Sequence, residues 1–431
     1  MKLTRRGALL AASAAFAMPA RAQGLRTRRG ASTLTASSDD VVAFGDAVRL
    51  MKRRSDALSW ARQTRIHARE AQHGNHLFLP WHRLQLMHLE AIVARLTGHA
   101  TFAMPYWDWQ GDRFMPDWIS DEASPLFERR RNRGVATLDF AEARWAESRY
   151  VARLAADDFP TFHGRSDSEQ GMVEAYGHNH IHQLVGGLMG RPETASADPF
   201  FWLHHANIDR VWATWQAGQA ASVYPADWRE KSLTGFVDAE GKDVASWRVD
   251  RTLSTRALGY AYDHLYPFPT FSVAEIGPPG ATRRVPTGGE VFRLQATGQG
   301  GRASLTLPEA VVARLREADD TLMITARGSV AHARTPLLED RSIEISIRSG
   351  SRTARLGSSP TFVHIPEGDH AHHSGDYRTP FRFGEEVLNL VDDGSLSVVV
   401  ETEDLAPEVA RPDAVLTGVE LELTLTETRW A

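Results

Sequence analysis

The chain lacks three features that exclude whole classes of protein: cysteine, a long apolar run and an excess of basic residues. With no cysteine among 431 residues, it forms no disulfide and offers no thiolate, so any metal must bind histidine, carboxylate or backbone oxygen. No stretch of about 18 or more apolar residues occurs, and we expect no membrane span in the mature protein. The formal net charge of −5 argues against a nucleic-acid partner, which requires a basic surface.

The N-terminus has the pattern of an export signal. A basic start with the pair Arg5–Arg6 precedes a short alanine-rich stretch, and Ala20-Arg21-Ala22 resembles a cleavage site. We therefore predict a twin-arginine-type signal peptide over residues 1–22, with export to the periplasm or beyond the cell. The alternative is an N-terminal helix of the folded protein.

The rest of the chain divides into a helical part and a strand-rich part. Residues 23–40 are polar and predict an N-terminal arm, and residues 41–265 are mainly helical with long loops. Proline and glycine concentrate in residues 266–290, which predicts a linker. Beyond it, runs such as "SIEISIR" and "GVELELTLTE" alternate apolar and polar residues, so we predict an all-β, sandwich-like domain over residues 291–431.

Two long helices are predicted from both periodicity and end signals. "LPWHRLQLMHLEAIVARLTG" approximates a helical period and stops at Gly98. "DPFFWLHHANIDRVWATWQ" begins with Asp198 as a candidate N-cap, followed by proline. Arg83 and Asp209, one in each helix, are candidates for buried charges, and a surface salt bridge is the alternative.

Histidines cluster in "GHNHIHQLVGG", residues 177–187, where three of them alternate. On a strand, all three would share one face, whereas on a helix only His178 and His182 are neighbours. The flanking sequence has no β-branched run, and the Gly-Gly pair indicates a helix stop, which favours the helix. His178 and His182 can then chelate one metal, His180 drops out, and His204 or His205 is the obvious third ligand.

A second group of histidines, His67, His73 and His82, lies before or early in the first long helix and predicts another three-histidine set. Iron and manganese pairs in helical bundles normally recruit glutamate, which is not matched here. Two imidazole sets without cysteine or carboxylate partners favour two copper ions, and zinc in a three-histidine site remains open.

These motifs resemble those of the tyrosinase and polyphenol oxidase family, the type 3 dicopper proteins. The resemblance lies in "HGNHLFLPWHRLQLMHLE" (73–90) and in "HNHIHQLVGGLMG…DPFFWLHHANIDRVWATW" (178–215), and it extends over about residues 41–262. It implies a mainly α catalytic domain whose four-helix-bundle core holds two coppers. The implied ligands are His67, His73 and His82 for the first copper, and His178, His182 and His205 for the second.

The resemblance also implies an activity: a phenol oxidase that uses dioxygen to hydroxylate monophenols or to oxidise ortho-diphenols to ortho-quinones. Glu174 and Asn179 match positions that hold an activating water in tyrosinases; a surface glutamate and a helix-capping asparagine are the alternative. Arg191 and Pro192 are expected near the substrate entrance. Phe201 is expected there too, packed against a ligand ring, although an ordinary core position fits it nearly as well.

Three other functions remain open from the sequence: a catechol oxidase without monophenolase activity, a haemocyanin-like oxygen carrier and a single-site zinc hydrolase. The C-terminal part weakly resembles the domain that covers the active site of plant polyphenol oxidases. That resemblance predicts an apolar side chain from this part that plugs the entrance. The cluster His370, His372 and His373 either helps to load copper or lies in a solvated loop.

Overall fold

The computed structural model describes residues 25–135, 158–266, 284–332, 341–360, 377–404 and 416–430, apart from residues 113, 133, 166–168, 220–222, 299, 318–321, 384–386, 388–389, 392–393 and 417. The predicted signal peptide, most of the predicted linker and the histidines around residue 370 lie outside the described residues. Among the helices within these ranges, none combines the length and the apolar character needed to cross a bilayer.

The N-terminal half is built from helices. They are α1 (Asp39–Lys52), α2 (Trp60–Glu70), α3 (Phe78–Thr97), α4 (Asp117–Ser120), α5 (Phe159–His163), α6 (Asn179–Val185), α7 (Pro192–Ala195), α8 (Pro199–Ala217) and α9 (Ala226–Glu230). Helices α3 and α8 are buried on nearly all sides, which explains why their apolar residues are not confined to one face. The predicted helical core is therefore confirmed.

The end signals of the two long helices act as predicted. Helix α3 is followed by Gly98, whose left-handed backbone (φ 76°) ends the helix. Helix α8 begins after Asp198, whose side chain accepts a hydrogen bond from the Phe200 amide at 2.8 Å. Asp198 also forms a buried salt bridge with Arg131, which fixes the start of α8 against a segment 67 residues earlier in the chain.

The histidine-rich stretch is helical, as predicted, but its first part is a π-helical turn. This turn, Val173–His178, leads directly into α6, which ends before Gly186. No local signal in the sequence predicted it. A π-helical turn changes the angular spacing of side chains, and such turns occur frequently at functional sites.

Short strands close the helical part. Strand β1 (Arg26–Arg28) pairs in parallel with β4 (Tyr260–Tyr262), and β2 (Ser232–Leu233) pairs with β3 (Trp247–Arg248). Arg28 of β1 is fully buried and contacts Glu90 of α3 and Asp209 of α8. Arg83 contacts the same Asp209, so the prediction that Arg83 and Asp209 are buried charges is confirmed.

In the described part of the C-terminal half, the strands form two four-stranded sheets. Its strands are β5 (Arg284–Ala296), β6 (Arg302–Thr306), β7 (Leu322–His332), β8 (Arg341–Ser349), β9 (Arg352–Pro360), β10 (Tyr377–Arg382), β11 (Ser397–Asp404) and β12 (Val419–Trp430), with helix α10 (Glu309–Arg316) after β6. Their orders are β10-β7-β12-β5 and β6-β11-β8-β9, with antiparallel neighbours. Alternate residues of both sheets, including Ile345 and Leu421, share one apolar core. Strand β5 begins inside the range expected as linker.

Strand β10 packs against the π-helical turn. The Tyr176 hydroxyl donates to the Pro380 carbonyl at 2.6 Å, and both residues are buried. Nearby, Arg165 forms an ion pair with Glu422 of β12. The sheets are thus joined to the segment that carries the predicted metal ligands.

Candidate metal centre

Two groups of buried histidines each bring their ring nitrogens to within 4.8 Å of one another. The first group contains His67 from the last turn of α2, His73 from the loop before α3, and His82 from α3. The second contains His178, His182, His204 and His205, from the π-helical turn, α6 and α8. All six predicted ligands are therefore brought together in two sets.

Backbone carbonyl groups orient three of these imidazoles. The Nδ1 atoms of His67, His82 and His182 lie 2.8, 2.8 and 2.7 Å from the carbonyl oxygens of Pro192, Phe78 and Met189. A carbonyl oxygen only accepts hydrogen bonds, so each Nδ1 carries the proton and each Nε2 keeps its lone pair. This tautomer is the one that presents Nε2 to a metal.

Asn179 orients His178 in the same way. Its Oδ1 lies 2.9 Å from Nδ1 of His178, and its Nδ2 donates to Oε1 of Gln170 at 3.2 Å. Nε2 of His178 and Nε2 of His182 then both face Nε2 of His205, at 3.2 and 3.3 Å. At least two lone pairs converge there, which fits a bound cation that relieves their repulsion.

His205, rather than His204, occupies the converging position. His204 is also buried, but its ring stacks on His178 at a centroid distance of 5.4 Å. The geometry therefore agrees with His205 as the ligand that the family resemblance implies.

The two sets face each other within one buried space. The rings of His82 and His205 stack with centroids 4.4 Å apart, and those of His73 and His178 lie 5.8 Å apart. Each pair joins one ligand of the first set to one of the second. Metals held by the two sets would therefore be close neighbours.

Burial keeps the imidazoles neutral. Desolvation lowers the pKa of His82 and of His182 to about 3, and it lowers the pKa values of His178 and His205 well below the usual range. Neutral imidazoles can bind a metal at neutral pH without first losing a proton. Both clusters offer only nitrogen donors, a donor set that suits copper.

Glu174 lies beside the first cluster, although it belongs to the π-helical turn. Its Oε1 accepts a hydrogen bond from the backbone amide of Gly74 at 2.6 Å, and its side chain is buried. Gly74 directly follows His73, so Glu174 joins the segment of one histidine set to the loop of the other. The predicted pair Glu174 and Asn179 therefore lies in the wall of the site.

The three residues expected at the entrance occupy different depths. Arg191 is exposed, whereas Pro192 is buried and holds His67 through its carbonyl group. Phe201 is fully buried, with its ring 4.1 Å from that of His205 and 4.7 Å from that of His67. Phe201 thus packs against the rings of two predicted ligands, and the entrance role of all three residues stays a prediction.

Two residues of the site were not predicted from the sequence. Phe78 packs its ring 4.6 Å from His178 and 4.7 Å from His82, so it contacts both histidine sets. The sequence offered one signal for this contact: Phe78 lies one helical turn before His82. Gln170 hydrogen-bonds to Asn179, and no motif in the sequence pointed to it.

Comparison with known proteins adds a family model described as the common central domain of tyrosinase, which matches residues 53–140 and 120–218. The chain is similar to tyrosinase HcTyr1 of Hahella sp. (strain CCB-MM4), with 33% identity over 228 residues. That match covers 46% of this chain and 48% of the relative, so the chain spans about half the length of this relative.

Two longer matches include the C-terminal half. (+)-Larreatricin hydroxylase, chloroplastic, of Larrea tridentata is 27% identical over 409 residues, covering 82% of this chain and 68% of that protein. The solved structure of latent apple tyrosinase superposes with a TM-score of 0.62 at 19% identity, covering 94% of this chain and 98% of that chain. The structural match concerns the fold alone.

Proposed function

This chain belongs to the tyrosinase and polyphenol oxidase family of type 3 dicopper proteins, and we propose that it is an oxidoreductase that uses dioxygen to oxidise phenols. With ortho-diphenols, two substrate molecules each lose two electrons and two protons. One dioxygen takes these up and leaves as two waters, and two ortho-quinones form. With a monophenol, one oxygen atom of dioxygen enters the ring next to the hydroxyl group, the other leaves as one water, and one ortho-quinone forms.

The observation that carries this proposal is the face-to-face arrangement of two three-histidine sets. The first set, His67, His73 and His82, would hold one copper, and the second set, His178, His182 and His205, would hold the other. The copper pair, when bound, supplies dioxygen activation and the redox change. The chain itself supplies buried imidazoles, and hydrogen bonds fix the tautomer of four of them: His67, His82, His178 and His182.

We assign proton removal from monophenols to a water held by Glu174 and Asn179. A phenol has a pKa near 10 and must lose its proton before it binds a metal well. Glu174 is a buried acceptor beside the first set, and Asn179 lies at the second, so both border the space between the sets. If this water is absent, the chain is a catechol oxidase without monophenolase activity.

The C-terminal half is assigned as a domain that covers the site and keeps the enzyme latent. The contacts of β10 and β12 with the histidine-bearing segment support this role. In this proposal, helices α2, α3, α6 and α8 form the four-helix bundle that holds the coppers, and the two sheets pack as a sandwich. The catalytic domain comprises residues 41–265, and the C-terminal domain comprises residues 291–431. An apolar side chain of the C-terminal domain is proposed to fill the entrance.

Export through a twin-arginine signal at residues 1–22 is also part of the proposal. Export of a folded chain suits this protein, because a metal bound inside the folded site can then be acquired before translocation. The sequence pattern is its support.

The decisive experiment combines metal analysis with activity before and after limited proteolysis. We expect two coppers per chain, and oxidation of catechol and of a monophenol such as tyramine that increases after cleavage. Zinc at one ion per chain would indicate the hydrolase instead. Two coppers with reversible oxygen uptake and no turnover by the cleaved protein would indicate an oxygen carrier.

A further inference from the structure

A chain of buried hydrogen bonds leads from the covering sheet to a predicted copper ligand. Nε2 of Gln170 donates to Oγ1 of Thr379 in β10 at 3.4 Å, and Oε1 of Gln170 accepts from Nδ2 of Asn179 at 3.2 Å. Oδ1 of Asn179 then faces Nδ1 of His178 at 2.9 Å. All four residues are at most 1% exposed, so bulk solvent does not reach the chain of hydrogen bonds.

The direction of these bonds determines the tautomer of His178. An amide presents an oxygen acceptor on one side and a nitrogen donor on the other. Because Gln170 presents its oxygen to Asn179, Asn179 presents its own oxygen to His178, and Nδ1 of His178 must carry the proton. If the Asn179 amide were reversed, its nitrogen would face Nδ1, and the proton would move to Nε2, where the metal must bind.

His178 differs from the other oriented ligands in this respect. His67, His82 and His182 face backbone carbonyls, which cannot reverse, whereas His178 depends on a side-chain amide that can. The second copper ligand set therefore contains one imidazole whose tautomer requires a further residue to fix it.

We propose that Gln170 is a positioning residue that fixes the Asn179 amide, and through it His178, in the metal-binding orientation, with Thr379 of the covering sheet as its anchor. The inference rests on the proposed dicopper site. It means that the covering domain contributes to metal retention as well as to latency, because β10 completes the chain of hydrogen bonds.

The test compares three variants of the full chain with the wild type. Gln170→Leu removes both bonds, whereas Gln170→Glu keeps an acceptor toward Asn179 and can accept from the Thr379 hydroxyl. Thr379→Val removes the anchoring hydroxyl, with nearly the same side-chain shape. Tyr176→Phe is the matched control, because it removes another described bond of this contact, to Pro380, and leaves the chain of amides intact.

Two measurements are made, neither of which depends on turnover. Long-range ¹H–¹⁵N correlation spectra of metal-free, histidine-labelled protein report the His178 tautomer, and competition with bathocuproine disulfonate reports the affinity for Cu(I). We expect a mixed tautomer in Gln170→Leu, with about tenfold weaker binding of one of the two coppers, the low end for outer partners of metal-bound imidazoles. Gln170→Glu and Tyr176→Phe should resemble the wild type, and Thr379→Val should lie between.

The proposal is overturned if Gln170→Leu keeps the wild-type tautomer and both coppers, or if Gln170→Glu is as defective as Gln170→Leu. The link to the sheet is overturned if Thr379→Val matches the wild type, or if Tyr176→Phe weakens copper binding equally. Circular dichroism confirms that each variant is folded. Absence of catechol oxidation in the wild type would count against the proposed function, while the tautomer comparison would still stand.

Discussion

At the scale of single residues, the site depends on which imidazole nitrogens donate a hydrogen bond and which keep a lone pair for a metal. Carbonyl and amide oxygens fix the protons of His67, His82, His178 and His182 on Nδ1. Their Nε2 lone pairs therefore point into the shared space. This arrangement makes the contribution of each residue separable by substitutions that preserve its shape.

Glu174 can be tested with an isosteric change. Glu174→Gln keeps an oxygen that accepts from the Gly74 amide but removes the negative charge near the proposed water. We expect kcat/KM for a monophenol to fall about 100-fold, the low end for loss of a general base, with catechol oxidation nearly unchanged. Glu193→Gln, at an exposed position in α7, serves as the control. Equal losses on both substrates would refute the water-positioning role.

The adjacent pair His204 and His205 gives a metal-counting test. His205→Gln should bind one copper per chain, because it removes the nitrogen toward which those of His178 and His182 converge. His204→Gln should retain two coppers, since its ring packs beside the set. Elemental analysis of both purified variants decides, and a single copper in His204→Gln would make that residue a ligand.

At the scale of elements, turns and buried ion pairs determine where the ligands lie. The turn after α6 brings the Met189 carbonyl back to His182, and it contains Gly187 with a left-handed backbone (φ 57°). A Cβ at this position would lie 2.0 Å from the Arg130 carbonyl oxygen. This turn therefore requires glycine for both its conformation and its space.

Gly187→Ala is expected to destabilise the fold and weaken copper binding. Gly98→Ala is the matched control, because Gly98 has a similar backbone (φ 76°) and a methyl group there would have nothing within 4 Å. The control should lose about 1–2 kcal/mol from backbone strain alone. Gly187→Ala should lose about 1–3 kcal/mol more from overlap. Urea unfolding measures both, and equal losses would show that the turn adjusts freely.

Asp209 joins β1, α3, α8 and β4, and it should make stability depend on pH. Burial alone would raise its pKa, but Arg83 and Arg28 lower it below the usual value. Because the folded pKa is lower than the unfolded one, near 3.9, the stabilisation is present above that pH and is lost as pH falls toward the folded pKa.

Asp209→Asn should cost about 3–5 kcal/mol at pH 7, because it removes the carboxylate that faces buried Arg83 and one of the two that face buried Arg28. The difference from wild type should shrink below about pH 4. Asp46→Asn breaks an exposed pair with Arg49 and should cost less than about 1 kcal/mol. Chemical unfolding from pH 3 to 7 measures these differences, and a loss for Asp209→Asn that does not vary with pH would contradict this account.

At the scale of the whole molecule, the sheets restrain the segment that carries the second ligand set. Tyr176→Phe should raise the oxidase activity of the uncut chain about fivefold, since one buried hydrogen bond contributes about 1 kcal/mol to docking. After proteolysis, the variant and the wild type should be equally active. Unchanged activity in the uncut variant would show that this bond does not contribute to latency.

Local signals allowed much of this structure to be predicted, and distant contacts did not. The N-cap at Asp198, the stop at Gly98 and the four-residue spacing of His178 and His182 are all local, and each is confirmed. The π-helical turn and the bonds of Gln170 depend on residues far away in the chain. Arg28 lay in a segment predicted to be a polar arm, yet it is buried against partners 62 and 181 residues away.

The pairing of β1 with β4 has a consequence for how the protein is made. During synthesis, Arg28 cannot complete its buried contacts until Tyr260 and Tyr262, more than 230 residues later, have been added. A nascent chain halted before residue 260 would therefore hold both histidine groups on an unclosed scaffold. Nearly all of the helical half must therefore be translated before its interior can close around a ligand of the two histidine groups.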